Sequence, residues 1–131
     1  MGLDSTPTKL GALPLPALGR RLALADTLAF VAASSGGVYA VDIRDPTTPV
    51  ELGNWSGARF AYDVGALGDL VYVAAGPEGL YVLRFTGTGF TPVGLSRGAG
   101  FVAAVEVASD AIYALDRNGG VLRRINPVRD Q

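Results

Sequence analysis

Few side chains in this chain have the means to do chemistry, and arginine leads them. Arg20, Arg21, Arg59 and Arg97 stand in the connections that lead into successive strand-like runs. A guanidinium is a planar fork of donors suited to phosphate or carboxylate groups. Gathered at one mouth, the four arginines form a site for a small anion. Kept apart, they are solvated or paired with local carboxylates. Asp63 is the fifth candidate. It aligns with Arg21 and Ala104 in neighbouring repeats, and an Asp63–Arg21 ion pair between adjacent units is its expected role. Asp63 and Glu106 together offer a second chemistry, acid–base hydrolysis, which needs two carboxylates roughly 5 to 10 Å apart across a substrate.

Composition removes most other reactions. The 131 residues contain neither histidine nor cysteine. Imidazole general bases, Ser-His-Asp triads, thiol catalysis, disulfides and thiolate zinc sites are therefore excluded. No cofactor motif is present, and no cofactor or metal is expected. Asp116-Arg117-Asn118-Gly119 has a faint likeness to a calcium loop but lacks the later acidic ligands, so it reads as a turn. The formal net charge of −1 argues against a broad nucleic-acid footprint. The longest apolar run, Leu22–Ala33, is interrupted by Asp26 and Thr27 and is too short to span a bilayer. Met1-Gly2 with Thr6 meets the loose myristoylation pattern, although an ordinary start or cloning residue is the favoured reading. No secretory signal opens the sequence.

The elements that would hold these residues repeat. Leu28–Ala33 (LAFVAA) and Leu70–Ala75 (LVYVAA) stand 42 residues apart, and Tyr72 and Tyr113 stand 41 apart. Each repeat carries short runs of strand-forming residues separated by turn signals such as Gly68-Asp69 and Thr86-Gly87-Thr88-Gly89. Four antiparallel strands in about 42 residues is the content of one β-propeller blade. The fold class is therefore all-β, a single repeat domain over 1–131. Residues 18–59, 60–99 and 100–131 form the three repeats. A glycine closes the second hairpin of each at one register: Gly37, Gly79 and Gly120. Small residues recur on the inner strands (Ala23, Ala25, Gly65, Ala66, Ala104, Ala108), as crowding around an axis requires. Phe30, Tyr72 and Tyr113 share a register suited to packing blade on blade. Trp55 is expected between blades, and Pro92 places its strand at a sheet edge.

The termini complement each other. Leu10-Gly11-Ala12-Leu13 aligns with Leu52-Gly53-Asn54-Trp55, and Pro7 with Pro49. Residues 1–17 therefore read as a fourth strand with no blade of its own, while the third repeat lacks a fourth strand. Propellers have about 4 to 8 blades. Two copies placed head to tail would make six, each opening strand completing its partner's last blade. The alternative is a piece of a longer propeller, with raw sheet edges.

Gly37–Ile43 (GVYAVDI) followed by Arg44–Val50 (RDPTTPV) resembles the LVIVD-repeat family of β-propellers. The hallmarks are an aliphatic strand ending in Val-Asp and an Asp-Pro-x-x-Pro-Val turn. Asp69–Ala74 (DLVYVA) fits the family's preceding strand. In the second repeat Arg84 replaces the equivalent of Asp42, and the third keeps only Asn126-Pro127-Val128. The resemblance implies a propeller of the kind found in bacterial and archaeal surface or secreted proteins, and it brings no catalytic motif.

The favoured function is a non-catalytic scaffold, dimeric with itself, that binds a protein or a small anion at the channel mouth. The alternatives are a carboxylate- or metal-dependent hydrolase or lyase in the channel, and a structural fragment of a surface protein. A complete chain points to the cytoplasm, and an excised one to the surface or secretion.

Overall fold

The structure is a computed structural model and describes residues 7–97, 100–118 and 120–126. Among these residues eleven strands form three antiparallel sheets. The first holds β1 (Arg21–Ala25), β2 (Leu28–Ala32), β3 (Val38–Asp42) and β4 (Val50–Trp55) in chain order. The second holds β5 (Asp63–Leu67), β6 (Leu70–Ala74), β7 (Leu80–Phe85) and β8 (Phe90–Ser96). The third holds β9 (Val102–Val107), β10 (Ile112–Asp116) and β11 (Val121–Ile125). These are the strands expected from sequence, with ends moved by a residue or two. The exceptions are the run Phe60–Leu67, which the sequence predicts as one strand but of which only Asp63–Leu67 forms β5, and residues 7–17, read as a fourth strand, which form none. Pro92 lies on β8, an edge strand, where its missing donor costs no ladder bond.

Local chemistry explains the hairpins. Two-residue turns join β1 to β2 and β5 to β6, and Asp26 and Gly68 adopt the positive φ that such turns demand (57° and 62°). In the next hairpin Gly37 and Gly79 have φ of 82° and 106°. A Cβ on either would strike the carbonyl oxygen of Trp55 or Ser96, where the fourth strand passes. Two constraints thus demand glycine there. Gly120 shares only the first, since nothing lies within reach of its missing Cβ.

The third hairpin departs from the sequence alignment. Ala74 pairs with Leu80, but Leu115 pairs with Leu122, one residue later than the repeat spacing implies. A one-residue slip exchanges the faces of a strand. Ile125 consequently packs against the second sheet, while Leu122 and Arg124 share the opposite face with Leu115 and Tyr113.

The core lies between sheets. Phe30, Val38 and Ala40 of the first sheet meet Val64, Val71, Val73 and Leu83 of the second. Tyr72, Leu80 and Val82 of the second meet Val105, Ile112 and Ala114 of the third. Phe30 and Tyr72 are fully buried. Phe30 makes edge contacts with Phe85 and Phe90 at 5.5 and 6.0 Å, and Trp55 meets Tyr81 at 5.0 Å. Tyr113, at the same register, is only half-buried because no sheet covers it.

The opening segment is placed by the same repeat, although its described part, residues 7–17, forms no strand. Gly11 backs onto Pro46 and Thr47 as Gly53 backs onto Thr88 and Gly89. Arg20 donates its amide to the Ala32 carbonyl and Tyr62 to that of Ala74, both at 2.8 Å. Relative to the first sheet, residues 11–20 stand where β4 and its exit stand relative to the second. Tyr39 and Val41 are buried, although no sheet precedes theirs. A strand needs a ladder partner, and among the described residues this segment has none. The myristoylation pattern and Pro127-Val128 lie outside the described residues.

Candidate functional site

The first strands β1, β5 and β9 lie side by side and enclose a groove of about 450 Å³. Small residues line it, as expected: a Cβ on Gly65 would strike Val107 Cγ2. Arg21, Asp63 and Glu106 also line it. The expected Arg21–Asp63 ion pair is not formed among the described residues. Asp63 Oδ1 accepts the Val64 amide at 2.8 Å and Oδ2 accepts the Val105 amide at 3.0 Å. Val105 belongs to the next sheet, so Asp63 is a clamp between blades. A general acid or base must offer an oxygen to a substrate proton, and both oxygens of Asp63 are held by the backbone.

Arginines gather at the end of the sheets that carries the β2–β3 and β6–β7 loops. Phe60, Tyr62 and Phe101 form a run of rings there, with centroid separations of 4.5 and 5.3 Å. Arg20 lies over Phe60 and Tyr62 at 5.6 and 5.4 Å. Arg117 lies over Phe101 and Tyr62 at 4.0 and 5.9 Å. Gly76, with φ of 61°, lets the rings settle on the backbone, since a Cβ there would meet both Tyr62 and Phe101. Arg117 is anchored by its amide, which donates to the Phe101 carbonyl at 2.9 Å. Arg59 and Arg97 are exposed at the same end. The Arg59 amide donates to Glu78 at 3.0 Å. Of the sequence candidates, Arg20 thus joins the ring cluster, Arg21 and Asp63 face the groove, and Arg59 and Arg97 stand on the rim.

The rings and Arg117 were not among those candidates. Phe60 and Phe101 stand 41 apart at the entry to two repeats, a recurrence that marks them. Arg117 carries no such signal, because Gly76 and Ser34 occupy the equivalent loops. Asp116, in the turn that looked faintly like a calcium loop, is buried and accepts the Phe101 and Asn118 amides at 3.2 and 3.1 Å. Among the described residues no group of three or more acidic side chains is arranged to hold a metal.

The opposite end carries the acidic turns. Asp42 receives the Arg44 amide and guanidinium, each at 2.9 Å. The Arg44 hydrogen bond holds its carboxyl below the ordinary range. Asp45 accepts the Thr47 hydroxyl and amide at 2.6 and 3.0 Å, which lowers its carboxyl as well. In the second repeat Arg84, at the place of Asp42, pairs with Asp69 at 3.1 Å. The repeat's Val-Asp and Asp-Pro residues thus build turns, and the second repeat builds its own with a reversed charge.

Stacked four-stranded antiparallel sheets, with their first strands lining a common groove, define a chain of β-propeller-like blades. Residues 20–56, which span the first blade, match the LVIVD repeat model. Among solved structures the chain is similar to the computationally designed Ika8 protein, at 15% identity and a TM-score of 0.62, over 80% of this chain and 32% of that one. It thus spans about a third of that structure's length. It is also similar to the computationally designed Ika4 protein, at 10% identity and a TM-score of 0.50, over 92% of this chain and 99% of that one. These likenesses concern the fold. No curated protein matches the chain. Among the described residues no helix is long and apolar enough to cross a membrane.

Proposed function

We propose that the chain is a non-catalytic binding scaffold that closes into a six-bladed ring with a second copy and receives a small anion or an acidic protein surface at its arginine-bearing end. One observation carries the closure: the two outer faces of the stack are the faces that are buried wherever a neighbouring blade exists. Leu22 and Leu24 on β1 are each 63% exposed, while Val64, at the place of Leu22, is 4% exposed against its neighbour. At the far end Leu115 and Leu122 are 41% and 64% exposed beside the half-covered Tyr113.

A blade's missing neighbour has the shape of another blade. The β1 face requires a face like that of β9–β10–β11, and a second copy supplies one. The same docking brings the partner's opening segment to the open edge of β11. Burying a leucine removed from water contributes about 1.5 to 3 kcal/mol, so four leucines and a tyrosine give the junction a substantial apolar centre.

A longer polypeptide with further blades would cover the same faces. The 32% coverage of the first matching structure favours that second reading. No observation favours a hydrolase or lyase in the groove, where backbone amides hold Asp63.

Leu24→Asp tests the junction. A dimer of native chains that becomes a monomer with unchanged circular dichroism supports it. A variant that remains dimeric at native strength overturns it.

A further inference from the structure

We propose that Arg20 and Arg117, braced on Phe60, Tyr62 and Phe101, form an oxyanion site for a small molecule carrying phosphate or carboxylate groups. The proposal rests on the anion-binding reading above and names the residues and the ligand chemistry. It lies within one chain and does not need the ring.

A guanidinium has two kinds of surface. Its flat faces are weakly hydrated and stack on aromatic rings; its edges carry the N–H donors. Here the faces are occupied. Arg117 sits 4.0 Å from the Phe101 centroid, and Arg20 lies between 5.4 and 5.6 Å from two rings. All four contacts fall inside the range of cation–π attraction. Stacking fixes each side chain in advance, so binding loses less side-chain entropy.

The edges are left to the ligand. Among the described residues neither guanidinium makes an ion pair or donates to a protein acceptor, whereas Arg44, Arg84 and Arg124 each pair with an aspartate. Those three belong to the acidic end. Arg20 and Arg117 belong to the other end, where the described acids are committed to backbone amides: Glu78 to Arg59, and Asp116 to Phe101 and Asn118. Cations braced apart from the local carboxylates are presented to an incoming anion.

The platform is also rigid. The ring of Tyr62 lies within reach of both guanidiniums. Gly76 supports it from beneath. Amide bonds from Arg20 to Ala32 and from Arg117 to Phe101 fix both backbones. Two forked donors on one ring suit a phosphate ester or a dicarboxylate, because each fork needs its own pair of oxygens.

The test is a titration of the full chain with inorganic phosphate, and separately with succinate, at constant ionic strength. The readout is the arginine Nε–H resonances. The site predicts saturable shifts at Arg20 and Arg117, with affinity falling about tenfold or more in R20K and R117K, which keep the charge but lose the fork. The phosphate and succinate arms distinguish the two ligand sources. Saturable shifts confined to Arg21, Arg59 or Arg97 would overturn this site while keeping the anion-binding end. Shifts that never saturate, or that sodium chloride reproduces, would overturn both. Native affinity retained in R20K and R117K would also overturn the stacked-fork geometry.

Discussion

Replacing Asp63 with alanine tests whether the blades are clamped by a carboxylate. The side chain accepts two amides, from Val64 at 2.8 Å and from Val105 at 3.0 Å. Both donors belong to residues less than 5% exposed (Val64 4%, Val105 3%). A hydrogen bond to a charged group contributes about 1.5 to 3 kcal/mol. Asp63 is itself half-buried, so solvent screening favours the lower end. The two bonds together then give ~2 to 4 kcal/mol, a large share of the ~5 to 15 kcal/mol that holds a domain folded. Asp63→Ala should lower the urea midpoint accordingly and reduce Tm by about 10 °C. Asp63→Asn keeps one acceptor oxygen but loses the charge and turns a donor toward the other amide, so it should lose more than half as much. Equilibrium urea denaturation followed by circular dichroism reads both. An alanine variant within ~0.5 kcal/mol of the native chain, the range of ordinary surface changes, would refute the clamp.

Two further outcomes follow from local geometry. Gly79→Ala and Gly87→Ala impose similar φ, 106° and 101°, but only Gly79 faces a carbonyl oxygen. Both should cost about 1 kcal/mol or more for the backbone. Gly79→Ala should exceed Gly87→Ala by ~1 to 3 kcal/mol because β8 must move, and equal urea midpoints would contradict this. Asp42 and Asp45 have lowered carboxyl pKa values. Their contribution to the β3–β4 turn is therefore complete above the ordinary carboxylate range and is lost as pH falls through the lower folded value. Carboxyl NMR titration should show Asp42 rising part of the way toward its ordinary value in Arg44→Ala, which removes the guanidinium but keeps the backbone amide bond, while Asp45 stays low. An ordinary Asp42 titration in the native chain would refute the pairing.

Much of the fold was legible in sequence because propeller strands are short, alternate in a simple way and repeat. The LAFVAA and LVYVAA runs, the glycines at 37 and 79 and the edge proline at 92 stand where simple physical reasons place them. The slip of β11 was not legible, because the turn between the paired Asp116 and Val121 encloses one residue fewer than those between Ala32 and Val38 and between Ala74 and Leu80, and nothing in a glycine-rich turn announces its pairing. The candidate site was legible only in part. Arginines before strands were visible, but stacking on Phe60, Tyr62 and Phe101 joins residues far apart in sequence. Asp63 was visible in sequence but was given an ion-pair partner that it does not take. A carboxylate facing a groove suggests an ion pair, whereas the register of β5 against β9 brings it to the Val105 amide first.

Closure by a second copy is decided most directly by the solution mass of the native chain, measured by sedimentation equilibrium across a range of concentrations. The ring predicts a single species at twice the 13.5 kDa of the chain. A monodisperse species at 13.5 kDa throughout would contradict it.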